Sequence, residues 1–194
     1  MPLTALLLAL AAAVVHAGWN LLTARAVQSQ AATAVALCVG ALVFAPVAAA
    51  TWDVDAAVIP YLLASIALEL AYFALLAAAY QRGPLSVIYP IARGAAPVLV
   101  AAIGVLALGA SLSATQVLGI VVVACGVVLV RGVDRSTRAP DLLLALATAA
   151  TIAGYTLIDK VALEHADPLP YLELTIAPVA AIYLLVAARV AGRD

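Results

Sequence analysis

Seven long apolar runs, broken by short stretches of Gly, Pro and charge, account for nearly the whole chain. They fall at 3–23, 31–50, 58–80, 85–108, 114–131, 140–160 and 169–190. Crossing the hydrocarbon core of a bilayer takes roughly 20 apolar residues in a helix, and each run approaches or exceeds that length. The fifth is short and rich in Val and Ile, the composition of a buried strand. Lipid requires every backbone polar group to be paired within its own segment, so this run too reads as a helix. The first run has no positively charged region ahead of it and exceeds the apolar core of a signal peptide, so it reads as a retained span.

Composition points the same way. Of the 194 residues 68% are apolar and 10% charged, with a mean hydropathy of +1.21, against about 45–50% and about 25% in soluble domains. Seven spans leave only short loops and no soluble domain. The expected fold is an all-α integral membrane protein, a polytopic helix bundle whose first partner is the lipid bilayer. A net charge of −1 supplies no polybasic footprint and argues against nucleic acid. Cys38 and Cys125 each sit inside an apolar run and read as core filler, and Gly119 and Gly126, seven apart on one face, read as a close-packing stripe. His16 and His165 have no metal-ligand spacing. No nucleophile elbow, phosphate loop or paired catalytic carboxylates occur. Neither an enzyme nor a metal or cofactor is expected.

Charge in the loops is lopsided. Arg25, Arg82, Arg131, Arg135, Arg138, Arg189 and Arg193 follow the first, third, fifth and seventh helices, against Lys160 alone on the other side. Arginine excess marks the cytoplasmic face, which places the C-terminus inside and the N-terminus outside. The chain also repeats: shifted by 136 positions, Leu6–Leu21 falls on Leu142–Leu157, with 10 of 16 positions identical. Ala17, Gly18 and Leu21 meet Ala153, Gly154 and Leu157, and Trp19 meets Tyr155. Helices one and six are five spans apart and cross in opposite directions. Such an inverted repeat is the arrangement of secondary transporters.

Two charges lie well inside helices, Glu69 on the third and Arg93 on the fourth. Their depths from the face they share are roughly 16 and 12 Å at the helical rise. With helices three and four taken as antiparallel neighbours across Arg82-Gly83-Pro84, a Glu69–Arg93 contact is expected. Two readings of it stay open. The pair neutralises itself, or Arg93 offers its fork to an anionic solute while Glu69 takes up a coupling proton. Tyr89 shares a face with Arg93, and Pro90 and Pro97 free backbone carbonyls as in an interrupted helix lining a cavity. On helix one, His16, Trp19, Asn20 and Thr23 form a polar–aromatic stripe. Tyr72 follows Glu69 by three on helix three, and Tyr80 marks its boundary.

His16-Ala17-Gly18-Trp19-Asn20, the run AYFALLAAAYQRGPLSVIYPIARGAAPVLVA from Ala71 to Ala101, and LGIVVVACGVVLV at 118–130 together resemble the drug/metabolite transporter superfamily, EamA type. The resemblance implies ten helices in two inverted five-helix repeats with a substrate cavity between them. Residues 3–131 then form one repeat and 140–190 the first two helices of a second, with helices eight to ten missing. It implies a multi-pass transporter in the cell (inner or plasma) membrane, moving a small metabolite or drug-like solute by alternating access. Arg93, Tyr89, Glu69, Trp19, Asn20, His16 and Tyr72 are the expected substrate-binding residues, with proton coupling at Glu69. The competing reading is a non-transporting or inactive subunit that needs a partner, such as a homodimer mate, to complete the ten-helix fold. A retinal receptor is disfavoured, because the one lysine, Lys160, ends helix six rather than sitting inside the last helix.

Overall fold

The computed structural model describes residues 3–25, 29–80, 82, 85–133 and 138–191, the side chains of 19–32, 80, 85–87, 130–133, 190 and 191 excepted. The described chain is helical: α1 (Leu3–Arg25), α2 (Ser29–Ala50), α3 (Ile59–Tyr80), α4 (Leu85–Leu108), α5 (Ala114–Val133), α6 (Ala139–Ala162) and α7 (Pro168–Ala191). Every boundary falls within two residues of its expected place. Among the described residues, five helices are long and apolar enough to cross a membrane, and the described apolar stretches of α1 (Leu3–Gly18) and α5 (Ala114–Leu129) are shorter.

Local chemistry sets several of these ends. The N-terminus of α5 carries a capping box: Gln116 N–H donates to Ser113 Oγ at 3.3 Å and Ser113 N–H to Gln116 Oε1 at 2.8 Å, so two orphan donors satisfy each other's residue. Gly109, at φ +65°, supplies the left-handed residue that closes α4. A proline opens α6, which has Asp141 in its first turn and Lys160 in its last, each matching the dipole end it occupies. A single bridge pairs Val54 with Ala166, tying the loop before α3 to the loop before α7. Asp55 N–H donates to His165 O and Asp167 N–H to Asp53 O, both at 2.8 Å.

α6 is the hub. It packs along both α3 and α4, while α2 packs on α7 and α5 on α4. Ala145, Ala149 and Ala153, one turn apart on α6, are all fully buried. Small residues at that spacing let backbones approach closely, and in lipid such packing replaces the hydrophobic drive between helices. Ala145 meets Ala79 of α3 and Ile88, Ile91 and Ala92 of α4; a turn or two deeper, Ala149 and Ile152 meet Tyr72 of α3 and Ala96 of α4. The leucines on the other face of α6, Leu143 and Leu146, point outward, as lipid-facing residues do.

This seating corrects the expectation that α3 and α4 pack as antiparallel neighbours. They touch little along their lengths, because α6 wedges between them. Three smaller expectations also change. α4 is continuous as an α-helix through Pro90 and Pro97, so the prolines remove donors without interrupting it. Cys125 is exposed rather than core, since α5 packs mainly on α4. Among the described residues, no neighbour lies within 4 Å of a Cβ added at Gly119 or Gly126, so neither marks close packing there.

The close approach falls instead at Gly94, where an added Cβ would run into Val127 Cγ2 of α5. Gly94→Ala is therefore expected to destabilise the bundle by about 1–3 kcal/mol, the usual cost of overpacking, seen as a lower Tm in detergent. At Gly154 the added Cβ meets only the flexible Leu68 Cδ1, at 3.1 Å, and Gly154→Ala is expected to cost less. An unshifted Tm for Gly94→Ala would contradict the α4–α5 seat.

Candidate functional site

Arg93 stands at the junction of α3, α4 and α6. Its Nη2 donates to Tyr72 Oη at 3.1 Å, and its guanidinium carbon lies 5.3 Å from the Tyr72 ring centroid and 5.8 Å from that of Tyr89. Tyr155 of α6 faces the same group and meets the Tyr72 ring edge-on, with centroids 6.4 Å apart and planes at 80°. Three tyrosines thus surround the cation. Rings within about 6 Å attract it through their quadrupoles, by up to about 2 kcal/mol each when desolvated. The network reaches α1, where His16 Nε2 and Tyr89 Oη are hydrogen-bonded at 3.2 Å.

Aromatic faces do not neutralise the charge. Among the described residues, no carboxylate forms an ion pair with Arg93, and its Nε–H is buried without an acceptor. An orphaned buried donor costs about 1–3 kcal/mol, and an unpaired cation at membrane depth costs more.

Glu69 goes elsewhere. Although one turn from Tyr72 on α3, it lies within electrostatic reach of Asp159 on α6 rather than Arg93. Asp159 anchors a second polar cluster: its Oδ1 accepts from Ser65 Oγ of α3 and from Tyr171 Oη of α7, both at 2.6 Å. Ser65 is fully buried. Sequence analysis did not single out Asp159, because the expected sixth helix, 140–160, leaves it one residue from the end; the observed α6 runs on to Ala162. The close packing of α3 and α7 around that end encloses it.

Of the expected site residues, the structure brings His16, Tyr89, Arg93 and Tyr72 into one connected group and sets Glu69 apart with Asp159. The side chains of Trp19 and Asn20 lie outside the described residues. Tyr155 is the addition, and one signal pointed to it: the 136-residue shift puts it opposite Trp19.

Arg93 also lines an open cavity of about 1060 Å³ between α4, α5 and α6, many of whose walls are exposed. Its walls are Ala96, Pro97, Val100 and Gly104 of α4 and Ile120 and Val123 of α5, with Ile152, Thr156 and Lys160 of α6 along the third side. Size, apolar walls and a few convergent polar groups are the features of a small-molecule site.

A family model, the EamA-like transporter family, matches residues 3–132, two thirds of the chain. The chain belongs to the EamA-like transporter family. No curated protein and no solved structure matches it. Membership makes this EamA-like chain a multi-pass membrane protein of a transporter family, which implies a small-molecule solute as partner.

The Asp159 cluster tests the packing around that cage. Tyr171→Phe removes one donor and is expected to cost about 0.5–2 kcal/mol, the range for interhelical hydrogen bonds in membranes. Ser65→Ala should cost a similar amount, and because both donors share one oxygen the double variant should depart from additivity. Additive losses, measured by denaturation in detergent, would show that the bonds act independently.

Proposed function

We propose that this EamA-like chain moves a small metabolite or drug-like solute across the cell (inner or plasma) membrane by alternating access. Arg93, Tyr89, Tyr72 and His16 line the solute path, joined by Trp19 and Asn20 from α1, and Glu69 is the proton site. In this reading residues 3–131 are one five-helix repeat and 140–190 the first two helices of an inverted second. The observation that carries it is a cation caged by tyrosines, unpaired with any carboxylate among the described residues, at the edge of a solute-sized cavity. A structural arginine would be expected to find a carboxylate partner, whereas a binding arginine keeps donors for its ligand. The separation of Glu69 from Arg93 supports the division of labour, because a carboxylate locked to the guanidinium could not exchange its proton.

Reconstitution into proteoliposomes tests this. Arg93→Ala is expected to abolish solute flux while the protein still inserts, and Glu69→Gln to remove the dependence of flux on a pH gradient. Undiminished flux in Arg93→Ala would sink the assignment.

One observation favours a second reading, that the chain works with a partner. The side chains of Leu3–Gly18 on α1 are exposed throughout, and α1 packs only lightly on α2. If a second copy covers α1, single-molecule photobleaching in bilayers should show two-step traces, and a charged substitution at Leu7 should reduce them to one step.

A further inference from the structure

The cavity beside Arg93 has a one-sided electrostatic character. Among the described residues lining it, the only charged side chains are Arg93 and Lys160, and no acid contributes; Ser111, Gln116 and Thr156 are the polar remainder. The rest of the wall is Ala, Val, Leu, Ile, Pro and Gly. Glu69 and Asp159 belong to the cluster on α3, α6 and α7 and do not line it, although Tyr155 lies within electrostatic reach of both acids and of Arg93. A cationic solute would meet like charge at both ends with no counter-ion, and a neutral one would leave the charge of Arg93 unbalanced.

Spacing along α6 shows how the two cations divide the work. Ile152 packs level with Ala96 and Tyr72, beside the Arg93 cage. Lys160 is eight residues further along the same helix, roughly 12 Å by the helical rise. Their backbones therefore stand at different levels along the bundle. Lys160 is exposed whereas Arg93 is half-buried, so Lys160 stands at the mouth and Arg93 inside. Thr156 lies one turn from each of Ile152 and Lys160, on the same stripe.

We propose that the solute carried in this cavity is an organic monoanion with an apolar body. Its carboxylate accepts from the Arg93 guanidinium; its body lies along the apolar wall of α4 and α5; and Lys160 draws the anion toward the mouth. A guanidinium suits this role because its planar fork matches a carboxylate, and the charge-assisted bonds strengthen where water is excluded. A lone exposed ammonium acts at longer range and is screened by salt. The inference rests on the transport reading and names the solute class for the same site.

The test uses three probes of matched size, phenylbutyrate, phenylbutanol and phenylbutylamine, binding to the full chain in nanodiscs at neutral pH. Phenylbutyrate is expected to bind about tenfold or more tighter than the other two, the advantage that one hydrogen bond to a charged group confers. Arg93→Gln should erase that preference, while Arg93→Lys should keep part of it. Lys160→Gln, at an exposed position, should weaken phenylbutyrate about threefold at low salt and leave binding unchanged at high salt. Equal binding of the three probes, or binding of none, overturns the proposal, as does a preference that survives Arg93→Gln in folded protein. If Arg93→Gln does not fold, the probe ranking and the salt response of Lys160→Gln decide in its place. Proteoliposome flux separates the two claims. Phenylbutyrate that binds with this preference but never crosses leaves the anion site standing and removes transport; flux of phenylbutanol or phenylbutylamine without anion preference leaves transport and removes the anion site.

Discussion

How closely α6 can seat between α3 and α4 governs the rest of the bundle. Within a bilayer no hydrophobic drive pulls helices together, since lipid tails are as apolar as leucine, so what holds them is packing at short range. Ala145, Ala149 and Ala153 provide it, each with no exposed surface, and Gly154 brings Leu68 of α3 into close reach. Bulkier residues on that stripe would push α3 and α4 away from α6 together. The core clusters at Ala145 and at Ala149 would then lose their common member.

The wedge also determines the electrostatics. Two helices joined by only four residues would ordinarily pair along their length and bring Glu69 and Arg93 face to face. With α6 between them, each charge instead meets what α6 presents at its own level. Arg93 meets Tyr155, and Glu69 comes within reach of Asp159. A pair that would have neutralised itself is replaced by a caged cation and a distinct carboxylate cluster. Separation leaves neither group locked in an ion pair with the other.

Much of this was legible in the sequence, for a physical reason: hydropathy and the length rule leave few alternatives in lipid, and the α4 bounds were read correctly to the residue. Arg93, Tyr89, Tyr72 and His16 were legible as polar residues at helical spacing on otherwise apolar runs, and they do meet. What was not legible was which helix stands beside which. Adjacency along the chain suggested α3 against α4, and nothing local in either helix announces α6 between them. The alanine stripe on α6 was visible only as part of a repeat rich in Ala and Leu. Its division into an inward alanine face and an outward leucine face depends on partners that periodicity does not identify. Asp159 was overlooked for the same reason, because depth counted from a helix end says nothing about what encloses that end.

The repeat carries more than topology. The positions chosen on α1 from their polar and aromatic character, Trp19 and Asn20, fall under the 136-residue shift on Tyr155 and Thr156 of α6. On α6 one of these faces the Arg93 guanidinium and the other lines the cavity. An aromatic followed by a small hydrogen-bonding residue, after Ala-Gly and before Leu, therefore marks a site-facing position on the one helix where its surroundings can be seen. Glycine ahead of the aromatic has a steric part in this. At Gly154 it admits the Leu68 side chain of α3, drawing in the helix that carries Tyr72. The five-residue pattern thus joins close packing to the presentation of a polar–aromatic pair, and the second depends on the first.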